Sequence, residues 1–184
     1  MNTPVRRIYE IMTIHLRPAT LDDLPSYTTM MQQTYESTYV DPSIGLTKAC
    51  FSPEVFNSDD TQAYLRSKLV TDDTQKSWVA VDKDAVVGAV VVKSRGSECE
   101  LSGFYVLPQY QGQGIGTRLW QNVLEFVGDR PITLDIYAHN KKTIQLYEHW
   151  GFHEDTTRPH FFYHWPEWPD DLRAEALYMR RESV

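Results

Sequence analysis

The chain has 184 residues and a formal net charge of −7, from 25 acidic and 18 basic side chains. That length suits one domain with a proper core, and 41% hydrophobic with 23% charged residues is ordinary for a soluble globular protein. The acidic balance argues against a nucleic-acid partner, no apolar run approaches the ~18 residues of a membrane span, and two distant cysteines, Cys50 and Cys99, without a CxxC fit a reducing, cytoplasmic setting.

The opening stretch, MNTPVRRIYEIMTIHLRPAT, has no long apolar run and is not a secretory signal. Residues 1–11 read as an extension, with a single domain over 12–184. Ile14 and Leu16 flank His15 in a short first strand closed by Arg17-Pro18. Thr20 and Asp23 form a relative of the capping box, and Pro25 is tolerated in the first turn of a helix that runs to about Tyr39. Residues 40–57, with Pro42, Gly45 and Pro53, read as a loop with at most a short helical turn. Ser58 caps a second helix through Ala63, Leu65, Leu69 and Val70.

Three strands follow: Trp78 to Val81, Ala85 to Val92 with Gly88 as a bulge, and Glu100 to Leu107. Ile115, Leu119, Val123 and Val127 then stripe one face of a helix that Gly128 and Pro131 end. Ile132 to Tyr137 is a strand, Asn140 to about Trp150 a helix stopped at Gly151, Phe152 begins another strand, and Ala176 to Arg180 is the last. This order predicts an antiparallel meander and then a crossover that makes neighbouring strands parallel. The fold class is α+β, a mixed α/β arrangement around one central sheet.

The segment LPQYQGQGIGTRLW places Gly112, Gly114 and Gly116 where a helix begins, although glycine weakens helices. A strand, a glycine-rich turn and a helix N-terminus together make an anion site, because the first helical N–H groups lack partners and the dipole is positive there. The P-loop pattern fails, since Thr117-Arg118 follows Gly116, and G-x-G-x-x-G fails at Thr117 or Leu119. Gln111, Gly114 and Gly116 do fill the pattern Q/R-x-x-G-x-G/A.

At this point the sequence resembles the GNAT-superfamily N-acetyltransferases. FYVLPQYQGQGIGTRL looks like that family's acyl-CoA segment, and Asn140 through Leu146-Tyr147 to Gly151-Phe152 is similar to its N-x-x-A-x-x-L-Y-x-x-x-G-F pattern. Thr143 and Trp150 depart from it at packing positions. The resemblance implies a central mixed sheet with helices on both faces and a parallel strand pair splayed at the coenzyme site. It implies acetyl-CoA as co-substrate and direct attack in a ternary complex. Gln111, Gly112, Gln113, Gly114, Ile115, Gly116 and Thr117 are then the diphosphate segment. The backbone of Phe104, Tyr105 and Val106 pairs with the pantetheine arm. Asn140 holds that arm, caps the next helix, or does both. Tyr147 is the expected acid toward the departing thiolate. Glu100 is the expected base, on one strand face with Val106 unless Gly103 makes a bulge, with Glu98 and Glu36 in reserve.

The acceptor site is expected from the first helix, the loop 40–57 and the late segment RPHFFYHWPEWPDDL. Pro159, Pro166 and Pro169 forbid a central strand there. Trp165 and Trp168, with Glu167, Asp170 and Asp171, either wall an amine pocket or close a homodimer interface. His149 and His153 straddle Gly151, which breaks the helical ligand spacing, so no metal is expected. The expected activity is N-acetylation of a primary amine, with a small-molecule amine or polyamine as partner rather than nucleic acid or membrane. Acetylation of a protein N-terminus or lysine is the alternative, and a coenzyme-A-binding sensor is the rival of another class.

Overall fold

A computed structural model of the chain describes residues 14–183. The expected extension and the start at Met12 lie outside the described residues. Strand β1 (His15–Pro18) leads through a 3-10 turn into helix α1 (Leu24–Tyr39). The Asp23 carboxylate accepts from Thr20 N–H at 2.8 Å and from Arg17 at 2.6 Å, which ties the strand end to the helix start. Residues 40–57 carry more helix than their prolines advertise. Two 3-10 turns precede a one-turn helix, α2 (Pro53–Phe56), capped by Ser52. Ser58 caps α3 (Asp59–Lys68) by accepting Thr61 N–H at 3.2 Å. That helix stops before Leu69 and Val70, contrary to the sequence expectation. Leu69 is buried after the helix ends, so its apolar character serves the core without extending the helical period.

The meander is β2 (Gln75–Asp82), β3 (Ala85–Ser94) and β4 (Cys99–Val106). β3 reads AVVGAVVVKS and is buried from Val86 through Val92, because helices cover both of its faces. The bulge expected at Gly88 falls beside it. Ala80 pairs Gly88 and Val81 pairs Val86, so Val87 is the extra residue. Gly88 has a different reason to be bare: a Cβ there would stand 3.1 Å from the Tyr105 carbonyl oxygen.

Helix α4 (Ile115–Val127) buries its Ile115, Leu119, Val123 and Val127 stripe against the sheet. It returns the chain to β5 (Ile132–Tyr137), which lies parallel to β4. After α5 (Lys141–His149) come β6 (His153–Glu154), β7 (Phe161–Tyr163) and β8 (Ala174–Arg181). The sheet order is β1-β2-β3-β4-β5-β8-β6, with β7 beside β6 on the outer edge of β8. β7 therefore sits between Pro159 and Pro166 as an edge strand, the only place those prolines allow. Tyr105 faces α1 while its neighbour Phe104 faces α4 and α5, so helices lie on both sides of the sheet. Among the described residues no helix is long and apolar enough to cross a membrane.

Candidate active site

β4 and β5 pair only at Cys99 with Ile132 and at Glu100 with Thr133, and then diverge. A cavity of about 1540 Å³ opens from this divergence. On the α4 side it is lined by Phe104, Val106, Gln111, Gly112, Gly114, Gly116, Thr117, Asn140 and Tyr147. On the α1 side it is lined by Tyr105, Glu100, Asp135 and rings from α1 and the late segment.

The main chain sets what each strand offers. Leu107 N–H donates to Val87 O at 2.9 Å. Alternation along an antiparallel ladder then turns the N–H groups of Phe104 and Val106 away from β3, into the gap. The Tyr105 amide belongs instead to the pairing with Ala89, so its expected backbone contact with a ligand is not available. Tyr105 contributes its ring on the opposite face, where its hydroxyl meets Tyr35.

A second bulge shifts the register between Val91–Gly103 and Val92–Leu101. Ser102 is the extra residue, next to the glycine that marks the place. This slip is the exception expected if a bulge formed at Gly103: Glu100 and Val106 do not share a face, and Glu100 joins Tyr105 on the α1 side.

At the start of α4, Gly114 is the N-cap with φ of 78°, in the left-handed region that favours glycine. Arg118 is the first amide to find a helical carbonyl, Gly114 O at 3.1 Å. The N–H groups of Ile115, Gly116 and Thr117 precede it and have no helical partner. Gly116 has neither a positive φ nor a tight neighbour; a Cβ there would meet only the Phe104 ring, at 3.7 Å. Among the described residues nothing requires glycine at that position. Ile115 is buried, Gln113 donates to Gln109 O at 3.1 Å, and Gln111 donates to Val106 O at 3.0 Å. Ile115 can therefore offer a ligand only main-chain groups, whereas each exposed glutamine keeps a second Nε2 hydrogen and its Oε1.

Asn140 caps α5, its Oδ1 accepting Thr143 N–H at 3.4 Å. Its Nδ2 is buried and has no hydrogen-bond partner among the described residues, so the cap accounts for half of the side chain. Tyr147 packs edge-on to Trp150 and Phe152, and Trp150 stacks on Trp120 at 4.9 Å. Burial pushes the Tyr147 phenol far above its ordinary range, so it stays protonated. Among the described residues none hydrogen bonds its hydroxyl.

Burial favours the neutral form of Glu100, but hydrogen bonds from Arg95 and Ser102 outweigh it, and the net effect holds its pKa below the usual range. Arg95 reaches the same carboxylate oxygen with two nitrogens, at 2.8 and 2.7 Å. Glu36 and Glu98 are paired with Lys48 and Arg180 and do not line the cavity. Asp135 was missed. It is the one carboxylate in the apolar strand ITLDIY, and it faces the cavity with a hydrogen bond from Tyr163. Its pKa is raised, first by burial and then by the Glu100 charge. Lys68, its own pKa lowered by burial, donates to Ser102 O at 2.9 Å and Ser102 Oγ at 2.7 Å.

The late segment closes the α1 side. Trp168 is 3% exposed and donates from Nε1 to Cys50 O at 3.1 Å, so it belongs to the core rather than to a dimer face. Trp165 stacks flat on it at 5.6 Å. From Trp165 a run of rings continues through Tyr35, Tyr39, Tyr137 and Tyr163 at centroid spacings of 5.4, 4.7, 4.7 and 4.8 Å.

A mixed sheet parts between two parallel strands, and a bare helix start stands at the gap. The chain belongs to the acetyltransferase (GNAT) family, whose description matches residues 33–152. It is 30% identical over 103 residues to N-alpha-acetyltransferase 30 of Schizosaccharomyces pombe, covering 52% of this chain and 69% of that protein. It is 27% identical over 115 residues to the [ribosomal protein bS18]-alanine N-acetyltransferase of Salmonella typhimurium, covering 61% and 70%. A match at 32% identity to the uncharacterized protein ML0378 of Mycobacterium leprae covers 54% of this chain and only 27% of that longer protein. In fold it is similar to the PaiA N-acetyltransferase of Thermoplasma acidophilum, solved in complex with coenzyme A, with a TM-score of 0.67, 18% identity, and coverage of 93% of this chain and 99% of that one.

Proposed function

We propose that this chain transfers an acetyl group from acetyl-CoA to a primary amine, with a small amine or polyamine as acceptor. The observation that carries this reading is a set of donors along one cavity wall with no partner among the described residues. These are the first amides of α4, the N–H groups of Phe104 and Val106, and buried Asn140 Nδ2. A ligand with a diphosphate at one end and a peptide-like arm satisfies all of them. The amides of Ile115, Gly116 and Thr117 hold the diphosphate, while Phe104, Val106 and Asn140 hold the arm. When bound, the thioester supplies an activated acetyl group.

Asp135 takes the proton from the incoming ammonium, directly or through one water. Its raised pKa makes it a better proton acceptor than Glu100, which is held ionised by Arg95. Tyr147 gives its proton to the departing sulfur; a phenol kept neutral by burial is suited to that role. A main-chain N–H of β4 aimed into the gap polarises the thioester carbonyl, a kind of contact that contributes ~3 kcal/mol elsewhere.

The two relatives named for alpha-amino acetylation support a protein N-terminus as second reading. Against it stands the late segment, whose Tyr163, Trp165 and Glu167 line the cavity and take up space on its α1 side. A thiol-release assay over a panel of small amines and N-terminal peptides decides between them. Turnover confined to peptides overturns the small-amine reading. Coenzyme binding with no turnover on any acceptor favours the sensor.

A further inference from the structure

One acidic group in the acceptor half of the cavity has no role in the chemistry above. Glu167 lines the cavity beside Trp165. Its Oε1 accepts from the Ser58 hydroxyl, and that hydroxyl oxygen in turn accepts Thr61 N–H at 3.2 Å as the cap of α3. The Ser58 group is thus fully used and fixes the carboxylate in place. The other oxygen, Oε2, is buried and has no hydrogen-bond partner among the described residues. A buried charged oxygen left unmatched is costly, and the cost is removed by a cation.

Two lysines line the same cavity, and among the described residues neither pairs with Glu167: Lys68, at the far end of α3 from Ser58, is bound to Ser102, and Lys142 stands on α5. Next to Glu167 the wall is aromatic, with Trp165 packed on Tyr35 at 5.4 Å and Phe56 at 5.8 Å. Ring faces and a carboxylate together favour an alkylammonium. Asp135 lies in the same cavity but on β5, held from Tyr163, four residues before Glu167 in the late segment. Four carboxylates line the cavity; Glu100 is paired with Arg95 and Asp60 is exposed in the first turn of α3, which leaves Asp135 and Glu167 as two separate acidic points.

We infer that Glu167 anchors a second, remote ammonium of the acceptor, so that the substrate is an aliphatic diamine or polyamine rather than a monoamine. This rests on the small-amine reading and narrows it. Asp135 meets the amine that reacts, and Glu167 meets the one that does not.

The test compares α,ω-diaminoalkanes of three to eight carbons with n-alkylamines of the same lengths. In the native enzyme the best diamine exceeds its monoamine in kcat/KM by about tenfold or more, the worth of one well-placed ion contact. In Glu167→Gln that ratio, taken within the one protein, falls toward one through KM for the diamine. Taking the ratio within each protein cancels any loss of folded enzyme, and the native comparison needs no variant. Equal use of diamines and monoamines by the native enzyme overturns the assignment of Glu167 and leaves the small-amine reading intact. An unchanged ratio in Glu167→Gln also overturns it. Failure of every amine, with coenzyme still bound, overturns both.

Discussion

The hydroxyls of Tyr35 and Tyr105 meet at 3.1 Å, and this contact joins α1 to the face of β4 that lines the acceptor cavity. Both phenols are held far above their ordinary pKa by burial, so both keep their protons. One donates to the other, and Tyr105 also meets the Tyr39 hydroxyl. Tyr35→Phe removes one of these contacts and is expected to cost about 1 kcal/mol in urea unfolding. KM for the amine rises while coenzyme affinity, measured by calorimetry, holds.

Gly116→Ala separates stability from binding. Alanine is the better helix former by up to ~1 kcal/mol, and its Cβ meets only a ring edge. The melting temperature is expected to hold or rise while coenzyme A affinity falls by about tenfold or more, through loss of close backbone approach. Retained affinity with higher stability overturns the diphosphate placement.

Tyr147→Phe removes one hydroxyl that no described residue uses. Stability is expected to be unchanged, coenzyme affinity to hold within a few-fold, and kcat to fall about 10²-fold or more. An unaltered kcat moves the acid elsewhere.

Two carboxylates are told apart by their pH profiles. Asp135→Asn is expected to lower kcat/KM by about 10²-fold or more and to abolish the acidic limb. Glu100→Gln removes the negative charge that helps raise the pKa of Asp135. Its acidic limb should move to lower pH, with activity retained. A flat profile in Glu100→Gln assigns the base to Glu100 instead.

Asp23 governs acid stability at the start of α1. Its pKa is depressed, chiefly by the hydrogen bond from Arg17. A depressed carboxylate contributes stability above its unfolded pKa of ~3.9 and loses it as pH falls through the folded value. Arg17 is 43% exposed, so solvent screening limits the pair itself to about 1 kcal/mol. Chemical unfolding from pH 7 down to pH 2 should show this contribution fading below about pH 4 in the native chain and missing in Asp23→Asn.

The glycine run before α4 and the stripe from Ile115 to Val127 were legible because each follows a local rule, a bare helix start and a period of 3.6. The two bulges were half legible. Gly88 and Gly103 marked the places, but the extra residues are Val87 and Ser102. What the glycines answer to is Tyr105, whose carbonyl or ring stands 3.1 Å from a Cβ at either position. At Gly88 that is a contact between strands, invisible along one strand; at Gly103 it is made by a ring two residues on in the same strand, and the pairing register decides which way that ring turns. The same slip hid which face Glu100 takes. Asp135 left a readable signal, a lone acid in an apolar strand, and it was passed over because strand reading asks for period rather than for exceptions. The turns within 40–57 and the fate of Trp168 depend on Cys50 O and the Phe51 ring, more than a hundred positions away.

The two residue pairs joining β4 to β5 leave the sheet as two half-sheets, β1 to β4 and β5 to β8, joined along a short seam. An arm lying in the divergence and bonded to both banks acts as a missing rung. Slow deuterium uptake at Phe104 and Val106 should then appear only when coenzyme is present, and heat tolerance should climb with its concentration.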